Sequence, residues 1–268
     1  MSANLVPGVR NFYITHETFD PNSGDVLDAC VQANQPYRLL RFDFLSQNIG
    51  DHEFNLGRPV DRPDLFVYSQ AHGHYHMKEF NKYTLIDGKG NVAIPSKKPG
   101  FCLVDVEQIS PNPAPRKFVS CAQTAEMGVS AGWADVYRAD IGCQFLIIDG
   151  LPDGDYTLVC TTNTAQANDK DGVPEATYSD NTISVCLRIT GDNVIEIPWR
   201  TRIPIVALAH ELNPGWLLAL WLAIHGGDPG PKRVRLKEAE ELMERATSIL
   251  RELAKSKPGE AVGPARRN

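Results

Sequence analysis

The stretch CQFLIIDGLPDGDYTLVCTTN, residues 143–163, sets two short apolar runs on either side of GLPDGDY. Aliphatic, aromatic and β-branched residues favour extended backbone, and the Pro, Asp and Gly between them have the turn chemistry of a hairpin connection. The same cadence fills the chain from residue 10 to about residue 198: NFYITHETF, YRLLRFDFLSQ, DLFVYSQ, KYTLID, FCLVDVEQI and NTISVCLRIT are short runs punctuated by Gly, Pro, Asp and Asn. No long amphipathic helix interrupts them. Strands in series without crossover helices predict an antiparallel β-sandwich rather than a parallel sheet.

The character changes after Trp199. Leu236, Ala239, Leu242, Met243, Ala246, Ile249, Leu250 and Leu253 form one apolar stripe at helical spacing. Asn213-Pro214 reads as a helix start, and Gly226-Gly227 and Pro258-Gly259 read as stops. The fold expected is therefore mainly β, a sandwich-like domain over residues 1–198 followed by a helical segment over residues 199–268. Charge divides in the same place. Residues 1–200 hold 16 Lys and Arg against 25 Asp and Glu, and residues 201–268 hold 11 against 8. The net charge of −6 gives no reason to expect nucleic acid. GWLLALWLAI is about half of the ~20 apolar residues that cross a bilayer, so no transmembrane span is expected. The first residues show no basic stretch followed by an apolar one, and the compartment stays open. The helical segment is a candidate for self-association or for an engineered fusion.

Three of the seven histidines, His72, His74 and His76, occupy alternate positions in AHGHYHMKEFNKYTLID, residues 71–87. On a strand all three project from one face. At ~3.3 Å per residue the outer two would stand roughly 13 Å apart, too far for imidazoles sharing one ion, so the backbone is expected to bend. Gly73 supplies the freedom for it. Imidazole ligands favour Cu²⁺ without excluding Zn²⁺. None of the six cysteines stands in a CxxC pair of the kind that holds zinc.

HGHYHMKEFNKYTLID resembles the copper-binding motif of the lysyl oxidase family. The likeness runs in order through most of residues 1–191: NLVPGVRNFYI, LLRFDFLSQNIGDHEFNLGRP, KKPGFCLVD, DVYRADIGCQF and NTISVCLRITG each resemble a family segment. One residue fewer between His76 and Phe80 than in the animal motif suggests a microbial-type relative. The resemblance implies copper(II) on His72, His74 and His76, and a lysine tyrosylquinone built from Lys98 and Tyr137, with Lys98 chosen over Lys97 by its spacing to Phe101 and Cys102. It implies an enzyme that oxidises primary amines, peptidyl lysine among them, to aldehydes with O2, releasing NH3 and H2O2, usually outside the cell. GVPEATYSDNT resembles a family region associated with Ca²⁺, which makes Glu175, Asp180 and Asn181 candidate oxygen ligands. The family's disulfide framework does not carry over, because Ala71, Gln108 and Trp133 stand where animal enzymes place cysteines, leaving Cys102, Cys121 and Cys143 without their usual partners. The alternative reading is a non-catalytic copper- or zinc-binding β-sandwich with a helical assembly tail.

Overall fold

The computed structural model of the protein describes residues 2–95 and 100–198. Lys98 and the expected helical segment after Trp199 lie outside the described residues. Within them the chain is mainly β, every strand pairing is antiparallel, and the described helix is one turn, α1 (Gly24–Leu27). One five-stranded sheet contains β1 (Leu5–Thr18), β2 (Pro36–Asn48), β9 (Glu107–Gln108), β11 (Trp133–Tyr137) and β12 (Phe145–Ile147). A second runs in the order β15 (Asn193–Glu196), β14 (Thr182–Thr190), β13 (Gly154–Thr161), β6 (Lys82–Asp87), β7 (Val92–Pro95). Two smaller sheets complete the set: β3 (Phe54–Gly57) with β10 (Met127–Val129), and β5 (His74–Lys78) between β4 (Phe66–Ser69) and β8 (Gly100–Phe101).

Strand β2 organises the core because both of its faces are covered. Leu40, Phe42 and Phe44 point into the main apolar cluster, where Phe42 and Phe44 meet Tyr83 of β6 at ring-centroid distances of 5.1 and 5.0 Å. Leu85, Leu158, Val185 and Leu187 of the second sheet belong to that same cluster, so the two five-stranded sheets share one core. The opposite side of β2 buries Leu39 with Phe19, Cys30, Cys143 and Phe145. Arg41 and Asp43 are also buried on that side and are satisfied there. Arg41 donates to Glu17 and to the Ala139 carbonyl, and Asp43 accepts from Asn11 and from the Ala139 N–H. Buried charge demands such partners.

Two expectations are corrected. GLPDGDY does not close a hairpin: β12 pairs with β2, β13 pairs with β6 and β14, and the turn carries the chain from one sheet to the other. Turn chemistry specifies a change of direction, while the strand's partner is chosen by which face is left to bury. FCLVDVEQI is not one strand either, since only its ends enter β8 and β9. Between them Asp105 accepts from the backbone N–H groups of Lys117, Phe118 and Ser130, so the chain's polar groups are met by a side chain instead of a ladder. The cysteines find partners without the family framework. Cys30 is bonded to Cys143 and Cys102 to Cys121, with Cα separations of 5.6 and 5.7 Å, inside the range a disulfide spans. Cys160 and Cys186 are buried thiols.

Candidate metal centre and its tyrosine

The hairpin of β4 and β5 carries the histidines. Its tip, residues 70–73, is closed by the Gly73 N–H donating to the Ser69 carbonyl at 2.9 Å, and Gly73 takes φ +69°, in the left-handed region that glycine enters without a steric penalty. His72 therefore sits in the turn, not on the strand, while His74 and His76 occupy alternate positions of β5. This bend removes the distance problem of a straight strand. One ring nitrogen from each histidine lies within 4.8 Å of the others, and His74 Nε2 is 2.9 Å from His76 Nε2. Two nitrogens each ~2.0–2.1 Å from one ion, at roughly a right angle, stand about 2.9 Å apart. The donor set therefore fits a single transition-metal ion. His76 is buried, and His72 and His74 are half-buried.

The tyrosine is reached through β8. This strand pairs with β5 through Met77↔Phe101 and Lys78↔Gly100. Gly100 permits the approach, because a Cβ there would collide with the Met77 carbonyl oxygen and press on His76 Cβ. Immediately after β8, the Cys102 N–H donates to the Tyr137 hydroxyl, and that hydroxyl donates to the Cys102 carbonyl at 3.1 Å. Tyr137 is buried at the end of β11, beside Phe44 in register. Burial pushes its phenol pKa well above the usual value, the negative charge of Asp135 pushes the same way, and the Cys102 hydrogen bond opposes them. Asp135 is buried two residues earlier on β11, on the same face as Tyr137. Asp140 instead pairs with Arg138 at the surface.

A cluster of oxygens lies at the start of β1. Glu175 is buried and accepts from the Leu5 N–H at 2.6 Å, Asn163 Nδ2 at 2.6 Å and Asn181 Nδ2 at 3.0 Å. Asp180 Oδ2 accepts from Asn4 Nδ2 at 2.9 Å. Among the described residues, Asn4 Oδ1, Asp180 Oδ1 and Asn181 Oδ1 are buried acceptors with no hydrogen-bond partner. Burial raises the Glu175 pKa above the ordinary carboxylate value against these hydrogen bonds.

Residues 22–197 match the family model described as Lysyl oxidase. The chain belongs to the lysyl oxidase family. Among curated proteins it is 30% identical to lysyl oxidase homolog 2B of Danio rerio over 186 residues, covering 69% of this chain and 23% of that protein. It is 34% identical to lysyl oxidase homolog 2 of Gallus gallus over 158 residues, covering 59% and 19%, and 36% identical to lysyl oxidase homolog 3 of Homo sapiens over 138 residues, covering 49% and 17%. The chain thus spans less than a quarter of the length of these relatives. No helix among the described residues is long and apolar enough to cross a membrane.

For this lysyl oxidase family member, sequence reading missed two participants. Asn4 joins the oxygen cluster from the opposite end of the domain, and Cys102 holds Tyr137 through backbone atoms. Neither has a local signal, since a side chain donated across 176 residues and a main-chain contact both leave the sequence pattern unmarked.

Proposed function

We propose that the protein is a copper-dependent amine oxidase acting on primary amines, peptidyl lysine among them, with His72, His74 and His76 holding copper(II) and with Lys98 and Tyr137 as the parents of a lysine tyrosylquinone. The observation that carries this reading is the physical chain from metal site to phenol: His76 on β5, its partner strand β8, and Tyr137 hydrogen-bonded to the residue that follows β8. Lys98 stands two residues before Gly100 on the same segment. When bound and formed, copper and the quinone supply an electrophilic carbonyl for the amine and an electron route to O2, giving aldehyde, NH3 and H2O2. The protein's own part is positional. Burial keeps Tyr137 a neutral phenol, its Cys102 contacts hold the oxygen in place, and His76 would hold the ion from the buried side of the site. Lys98 must be neutral to add to an oxidised ring.

The test is peptide mapping after aerobic copper loading. A Lys98–Tyr137 cross-link and a hydrazine-reactive carbonyl are expected. Lys98→Arg abolishes the cross-link with copper binding intact, and Lys97→Arg leaves both. Activity without the cross-link sinks the mechanism. Copper or zinc bound with neither activity nor cross-link favours the second reading, a non-catalytic metal-binding module.

We also propose Ca²⁺ at the oxygen cluster, with Glu175, Asp180 and Asn181 joined by Asn4. The three buried acceptors without donors support it, because a desolvated oxygen lacking a hydrogen bond is costly and a hard cation relieves that cost. Residues 1–198 would form the catalytic unit, and residues 199–268 a separate segment open to self-association.

A further inference from the structure

The segment around α1 belongs to neither large sheet, and nothing in the histidine motif points to it. It is nevertheless fixed by three independent ties. Cys30 is bonded to Cys143, Asp25 Oδ1 accepts from the Cys143 N–H at 2.6 Å, and Cys30 and Val31 pack with Leu39 and Phe145. Held this way, the segment brings one carboxylate to the histidines. Asp28 Oδ2 lies 3.3 Å from His72 Nε2, with side-chain exposures of 13% for Asp28 and 20% for His72. Asp28 Oδ1 accepts from Ser69 Oγ at 3.1 Å, and Ser69 Oγ in turn accepts from the His72 N–H at 3.1 Å. The contact is closely fitted, since a Cβ on Gly24 of α1 would stand 3.3 Å from His72 Nε2.

We infer that Asp28 is the positioning carboxylate of the three-histidine centre, an inference that rests on the metal reading proposed above. A neutral imidazole has one N–H and one lone pair, and the hydrogen bond made by the first decides which nitrogen offers the second. Asp28 Oδ2 stands at ion-pair distance, 3.3 Å, from His72 Nε2, so a small turn of the ring on metal binding lets it accept the Nε2 proton and leaves Nδ1 as the ligand atom. Ser69 ties the His72 backbone to the Asp28 carboxylate, so the acid and the residue it orients move together. The role falls to His72 because that residue sits in the turn, where no ladder holds it, whereas His74 and His76 are aimed by β5.

The experiment is Cu²⁺ binding by chelator competition on the full chain, read beside the Cu²⁺ EPR spectrum and the melting of the metal-free protein. Asp28→Ala should weaken Cu²⁺ binding by about 10- to 100-fold, the usual cost of losing such a partner. Asp28→Asn keeps an acceptor without the charge and should lose less, and both should alter the copper hyperfine splitting with metal-free melting unchanged. Wild-type affinity and spectrum in both variants overturn the inference. A weaker affinity tracked by lower metal-free stability, with an unchanged spectrum, overturns it also, because that pattern marks a merely structural acid. If the wild-type chain binds no Cu²⁺ and His76→Ala behaves identically, the metal reading itself has failed, an outcome distinct from the others.

Discussion

The Tyr137 hydroxyl is engaged by both backbone groups of Cys102, so removing it strands a buried donor and a buried acceptor. Tyr137→Phe should therefore cost roughly 1–3 kcal/mol in denaturant unfolding, and should also eliminate the hydrazine-reactive product. Because the folded pKa of Tyr137 is raised, its contribution to stability is present below the unfolded value of about 10 and is lost as pH rises beyond it. Wild type should accordingly lose stability more steeply than Tyr137→Phe above about pH 10. Parallel slopes would show that this phenol ionises freely in the folded protein. Glu175 carries the same sign in a lower window. Its raised pKa means that stability present below the unfolded carboxylate value of about 4.3 is lost as pH rises through the folded one. Ca²⁺ at the proposed site would oppose that loss by binding the carboxylate form. Melting temperatures with CaCl2 and with a Ca²⁺ chelator should diverge increasingly as pH rises above about 4, and the divergence should shrink in Glu175→Gln. Coincident curves at every pH would refute the cation site.

Two elements convert distant chain segments into one site, and each is open to a direct test. Strand β8 lies against β5 only because residue 100 has no side chain, so Gly100→Ala should separate the strands. The expected readout is weaker Cu²⁺ binding together with faster amide exchange at Met77 and Phe101, which stand in register across the two strands. Unchanged exchange would show that the ladder absorbs a methyl group. The α1 segment is anchored by a disulfide closing 113 residues, against 19 for Cys102–Cys121. Chain-entropy scaling makes the longer closure worth about 1.6 kcal/mol more. The double replacement Cys30→Ala/Cys143→Ala should thus destabilise more than Cys102→Ala/Cys121→Ala by roughly that amount in urea titrations, and it alone should weaken the Asp28–His72 contact.

At the scale of the molecule, residues 2–95 and 100–198 contain both five-stranded sheets, their shared core and, apart from Lys98, every residue proposed for the two ion sites and the quinone. A chain ending at residue 198 should then fold cooperatively, keep a β circular-dichroism signature and bind Cu²⁺ through the three histidines. Aggregation of that chain with loss of the β signature would mean that GWLLALWLAI covers apolar surface of the β domain. If the full chain alone sediments as an oligomer, the segment after Trp199 carries association.

The strands at β2, β6, β13 and β14 were readable because alternating apolar residues and turn formers act locally, wherever the chain is later placed. The histidine motif was readable for the same reason, including the bend that its own spacing demands. Partnership is another matter. Whether Ile147 and Tyr156 belong to one sheet or two, which cysteine meets Cys143, and that Asp28 reaches His72 are settled when segments far apart in sequence close on a common core. Only there do burial and unsatisfied hydrogen bonds choose among chemically equivalent partners. By itself, the sequence determined the β class, the three-histidine set and the family likeness; the tertiary structure alone decided the sheet assignment, the disulfides, the Cys102 seat of Tyr137 and the acid behind the first histidine.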